Sequence, residues 1–134
     1  IEKMESNQST RRQFFSQLPL ETPIMRKDAA ERLNSIVMPL VLRYSTVMGV
    51  SYSGISYRAT ISKWGSCDTK SRRLCFSLYL LLLPHWCIEH VVVHELAHLI
   101  VPNHSKQFYG VRDRYFPKWR EARNETRAIS KMER

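Results

Sequence analysis

The stretch "VVVHELAHLIVPNHS", Val91–Ser105, carries three of the chain's five histidines inside a run that is otherwise almost wholly apolar. A run of this kind, closed by Pro102 and Asn103, reads as a buried helix from Trp86 to Val101. Imidazoles on so apolar a helix each need a partner. Side chains at i and i+4 lie one above the other on a helix face, so His94 and His98 aim both rings at one point. A zinc ion about 2.0–2.1 Å from each ring nitrogen satisfies that geometry. Glu95 lies about 100° further round the helix. It is close enough to take a proton from a metal-activated water and too far round to join the ligands.

Two ligands are too few, because a catalytic zinc takes three protein ligands and keeps a fourth position open. His104 could not share the face of His98 on a continuous helix, but Pro102 and Asn103 supply a break that turns the chain back, and His104 is the expected third ligand. His90 also shares the face of His94. It lies about 12 Å along the axis from His98, so both cannot hold one ion. His90 and His85 are read as cap or surface residues. The His94–His104 spacing also matches the metzincin motif, but that motif places glycine where this chain has Val101, and the metzincin reading is set aside.

Working backwards from the helix, Leu74, Phe76, Leu78 and Leu80 alternate with other residues up to Pro84, and Ile55, Tyr57, Ala59 and Ile61 alternate with polar ones. Each is the period of two expected of a strand. With Asp68–Ser71 as a turn, the two read as an antiparallel hairpin. Further upstream, Leu33, Ile36, Val37, Leu40, Val41, Tyr44 and Val47 recur at helical spacing. Thr22-Pro23 offers a cap and a first-turn proline, Asp28 and Glu31 offer a second possible start, and Gly49 an end. Pro39 is expected to kink or divide this helix. After the histidines, Ser105–Phe116 and 118–128 read as two helices separated by Pro117. The expected class is α+β: a long N-terminal helix, a small antiparallel sheet, the histidine-bearing helix and C-terminal helices. Residues 1–21 read as an extension of uncertain order and 22–134 as one domain.

Composition limits the partners. The chain has 134 residues with 43% hydrophobic and 25% charged, an ordinary globule. Cys67, Cys75 and Cys87 are an odd number without a Cys-x-x-Cys pair, which argues against a disulfide framework and points to a reducing, cytoplasmic setting. The apolar run Leu78–Leu83 is far shorter than the roughly 20 residues of a membrane span, so no membrane partner is expected. No secretory signal is visible, and with Ile1 in first place the sequence is expected to lack the protein's own N-terminus. The net charge is +9, and the segment after His104 holds nine Lys or Arg against four acids. That balance suits weak nucleic-acid binding through a basic surface.

Together, "KWGSC" (Lys63–Cys67), "VVVHELAHL" (Val91–Leu99) and "NHSKQFY" (Asn103–Tyr109) resemble the YgjP-like metallopeptidases, metal-dependent hydrolases related to the SprT and WLM zinc proteases. The resemblance runs from about Ile24 to Arg123. It implies a zincin-like fold, zinc on His94, His98 and His104, and Glu95 as general base. The Trp64-Gly65-Ser66-Cys67 motif is expected at the end of the first strand, beside the active-site cleft, with Trp64, Ser66 and Cys67 as candidate substrate-side residues. Trp64 as a packing anchor is the plainer reading. The chain departs from the family at Ser71-Arg72, where a hairpin glycine is usual, and at Ser77, where an asparagine is usual. The expected function is a zinc-dependent hydrolase cleaving peptide bonds, with a peptide or protein as substrate. The alternatives are a DNA-associated protease or nucleic-acid-binding module, and a non-catalytic metal-stabilised interaction domain.

Overall fold

The computed structural model describes residues 11–130. Residues 11–16 form a short helix, α1, and are followed by α2 (Pro23–Met48), β1 (Gly54–Arg58), β2 (Gly65–Asp68), β3 (Arg73–Ser77), a 3-10 turn (Leu78–Leu82), α3 (His85–Ala97), α4 (Lys106–Tyr115) and α5 (Trp119–Ser130). The α+β class expected from the sequence is the one found. None of the described helices is long and apolar enough to cross a membrane.

Helix α2 starts where Thr22-Pro23 places it: the Thr22 hydroxyl accepts from the Met25 N–H at 3.1 Å, with Pro23 in the first turn. It ends at Gly49, whose φ of 68° is the left-handed conformation that glycine tolerates. The expected division at Pro39 does not occur. Proline removes one backbone bond, but the buried stripe Leu33, Val37, Leu40, Val41 and Tyr44 continues across it and packs against α3. Burial of that stripe outweighs one missing hydrogen bond.

The sheet departs from expectation. Its order is β1-β3-β2, with β1 parallel to β3 and β2 antiparallel to it. The segments read as two arms of one hairpin are therefore parallel neighbours, and the true hairpin partner of β3 is Gly65–Asp68. Alternation reports which face a residue takes and says nothing of strand direction. The motif Trp64–Cys67 thus opens β2 and does not close the first strand, which stops at Arg58; Ile61 is 47% exposed. Leu78 and Leu80, read as strand, lie in the 3-10 turn, started by the Ser77 hydroxyl accepting from the Tyr79 N–H.

Two departures from the family pattern acquire a structural meaning. Arg72 in the β2–β3 turn has φ 64°, a conformation costing a non-glycine residue about 1–2 kcal/mol. The turn is held by the Arg72 N–H donating to the Asp68 carbonyl at 2.7 Å and by the Arg72 Nε donating to the Ser51 carbonyl at 2.9 Å. Asp68 Oδ1 accepts from the N–H groups of Lys70 and Ser71, which hold its carboxyl below the usual carboxylate range. Ser77 is buried, and its hydroxyl ties β3 to the β1–β2 connection by donating to the Thr60 carbonyl at 2.7 Å.

The extension is ordered structure where it is described: Phe14 and Phe15 of α1 are buried, with Phe15 6.1 Å from the Trp64 ring and 4.9 Å from Tyr79. Residues 1–10 of the expected extension, and 131–134 of the expected domain, lie outside the described residues.

Candidate metal centre

Helix α3 is buried on most of its circumference, through Cys87, Ile88, Val91, Val92, Val93, Leu96 and Ala97, which fixes the direction in which His94 and His98 project. The helix ends at Ala97, short of the expected Val101, and residues 98–100 tighten into i→i+3 bonds: His98 N–H to Glu95 at 3.2 Å and Leu99 N–H to Leu96 at 3.0 Å. His98 thus stands at the helix end, where its Nδ1 lies 3.1 Å from the Pro102 carbonyl. Donation from Nδ1 to that carbonyl would leave Nε2 as the atom offered to a metal, the arrangement that orients metal-binding histidines.

The break at Pro102-Asn103 returns the chain. Ser105 caps α4, its hydroxyl accepting from the Phe108 N–H at 3.5 Å, so His104 sits just before a helix that packs on α3. One ring nitrogen from each of His94, His98 and His104 lies within 4.8 Å of the other two, a group that could hold a metal ion. A tetrahedral ion at the usual zinc–nitrogen distance wants these atoms about 3.4 Å apart. Buried Phe108 backs all three rings, its centroid 5.0 Å from His94, 4.5 Å from His98 and 5.0 Å from His104. Three imidazole nitrogens are a donor set suited to zinc, and the residues present fit such an ion.

Glu95 is only 2% exposed, and β2 fits closely over it. A Cβ built on Gly65 would stand 3.0 Å from Glu95 Cγ and 3.2 Å from Glu95 Oε2. Glycine in the Trp64–Cys67 motif therefore lets the sheet edge close onto the glutamate, a role that spacing alone did not reveal. Gly65→Ala is expected to push the carboxylate aside by a few tenths of an ångström and lower hydrolysis about tenfold at unchanged metal content. Full activity in that variant would show that this contact does not position Glu95.

The neighbouring motif residues divide. Trp64 is buried against α1 and also lines the cavity beside the metal centre, so it is an anchor with one side on the site. Ser66 and Cys67 are half-buried on β2, opposite Cys75 and Leu74. The Cys67 thiol is pushed up to about 11 by burial and then by the charge of Glu95, which keeps it a neutral thiol at neutral pH.

His85 is exposed at the start of α3, as expected. His90 is not a surface residue. It is buried, 6.1 Å from His94 and 6.0 Å from Phe116 between ring centroids, and it lines the same cavity. The cavity, about 210 Å³, extends from His94 and His104 to Arg112, Arg123 and Arg127, none of which periodicity singled out.

The fold has counterparts among solved structures. The computed structure is similar to the crystal structure of the metallopeptidase zymogen abylysin of Pyrococcus abyssi, with a TM-score of 0.66 at 19% identity over 72% of this chain and 96% of that one. It is also similar to the zymogen jannalysin of Methanocaldococcus jannaschii, with a TM-score of 0.59 at 21% identity over 71% and 95%. No curated protein matches the chain. The model of the YgjP-like metallopeptidase domain matches residues 5–128, so the match takes in α1 and starts well before Ile24. The chain belongs to the YgjP-like metallopeptidase family of metal-dependent hydrolases.

Proposed function

We propose that the chain is a zinc-dependent peptidase in which His94, His98 and His104 hold the metal and Glu95 is the general base. The observation that carries this reading is the convergence of three ring nitrogens beside a buried glutamate held under the sheet edge. When bound, the metal supplies a Lewis acid that polarises the scissile carbonyl and lowers the pKa of a water toward about 7. Glu95 accepts the proton of that water and passes it to the leaving amine. Gly65 lies close against the carboxylate from one side. Edge strand β2 suits an extended substrate adding as a further strand, with Trp64, Ser66 and Cys67 beside it.

Protein purified without added metal is expected to carry close to one equivalent of zinc and to hydrolyse an unfolded protein. Chelation should abolish the activity and zinc restore it. Hydrolysis that survives full removal of the metal would sink the reading.

The exposed Arg114, Lys118 and Arg120 of α4, α5 and their junction favour weak nucleic-acid binding beside this activity. Its affinity for DNA should fall steeply with salt as phosphate counterions are released. No binding at low salt removes nucleic acid as a partner. The three free cysteines, Cys67, Cys75 and Cys87, agree with a cytoplasmic setting.

A further inference from the structure

The cavity beside the histidines ends in a cluster of cations that hydrolysis at the metal does not require. Arg112 of α4 is 3% exposed, and its Nε and Nη2 are buried without a hydrogen-bond partner among the described residues. The Nε of Arg123 on α5 is buried in the same condition. The Arg112 guanidinium carbon stands over the Trp119 ring, 3.4 Å from its centroid, and 4.8 Å from that of Tyr109. Stacking of this kind fixes the plane of the fork and leaves its edge to donate. Arg123 and Arg127, at i and i+4 on α5, bring two more guanidinium groups to the same wall.

Buried guanidinium donors without acceptors cost several kcal/mol, and natural interiors satisfy nearly all such groups. Arg112 Nε and Nη2 and Arg123 Nε find no acceptor among the described residues, and Asp113 is the acceptor for the Trp119 Nε1–H. Burial, with Arg123 and Arg120 close by, pushes the Arg112 pKa down, against the pull of Tyr109 and Asp113. An added anion would relieve that crowding.

We propose that this arginine wall is a substrate subsite that takes a carboxylate, from an acidic side chain or a free C-terminus of the peptide, and sets which bond lies over the metal. The proposal rests on the peptidase reading of the histidine site and names the substrate class. A planar carboxylate matches the donor fork of Arg112 two bonds at a time, and about 210 Å³ is room for one side chain. An amide of the same shape offers one acceptor oxygen in place of two, turns an NH2 donor toward the fork and carries no charge, so discrimination should be large.

The test uses the metal-loaded protein and peptides that differ only in Glu against Gln near the scissile bond, or in a free-acid against an amidated C-terminus. The acidic member is expected to show a kcat/KM at least about tenfold higher. Which pair shows the difference tells a side-chain carboxylate from a terminal one. Arg112→Gln and, separately, the less buried Arg123→Gln should reduce that preference while leaving the metal content unchanged. Should Arg112→Gln fail to fold, Arg123→Gln carries the comparison.

Binding of the same peptides to Glu95→Gln protein is measured by calorimetry, so the subsite is tested even if no peptide is cleaved. Hydrolysis without any acid preference would overturn the subsite and leave the peptidase reading standing. Acid-selective binding that depends on Arg123 without hydrolysis would do the reverse. A preference that survives both arginine substitutions would place the carboxylate on the metal and overturn the proposal, as would equal binding of both peptides with single-stranded DNA as the better competitor.

Discussion

Glu95→Gln is expected to lower hydrolysis by about 10² to 10⁴-fold, the usual worth of a positioned general base, with metal content near that of the unaltered protein. Glutamine keeps the length and shape of the side chain, so its close fit against Gly65 persists. What is lost is the anionic oxygen that accepts a proton. The substitution therefore separates proton transfer from metal binding at one residue. A fully active Glu95→Gln protein would refute the mechanism, and one that lost its metal would move Glu95 among the ligands. A loss of activity accompanied by a large fall in melting temperature would instead report damage to the buried interface between β2 and α3.

The parts of this site that follow helical periodicity were legible in the sequence. Thr22-Pro23 and Gly49 mark the ends of α2 because capping is local chemistry. His94 and His98 share a face because four residues are close to one turn, and Pro102 announces the turn that brings His104 back. What rested on long-range packing was not legible. Strand β2 reads Gly-Ser-Cys-Asp, with no alternation of apolar and polar residues, so nothing local shows that it lies over Glu95. The parallel pairing of β1 with β3 depends on the chain crossing between them.

The arginine wall was hidden for another reason. Charge counts assigned Arg112, Arg123 and Arg127 to a basic surface, since arginine is usually exposed. Trp119 provides the stacking face that carries Arg112 inward, and the packing of α3 against both α4 and α5 brings that side chain to the cavity of His94. His90 was misread similarly. One turn before His94, it was judged by whether it could hold the ion, when its place is in the wall between His94 and Phe116.

His98→Ala and His104→Ala should both lose metal and activity, and their melting temperatures should tell why. A ligand held at about 1,000 times its Kd stabilises a protein by about 4 kcal/mol, so losing it in a chain of this size lowers the melting temperature by about 10 °C. His104 is exposed on the loop before α4 and meets Phe108 only edge-on at 5.0 Å, so its substitution removes little packing besides the metal linkage. In the presence of chelator the His104→Ala and unaltered proteins should therefore melt together. His98 also stacks on Phe108 at 4.5 Å between centroids and reaches the Pro102 carbonyl. His98→Ala should stay less stable than the chelated protein by the roughly 1–3 kcal/mol that such a contact and hydrogen bond contribute. Unchanged metal content and melting temperature in His104→Ala would remove it from the ligand set and leave two histidines, too few for a catalytic zinc.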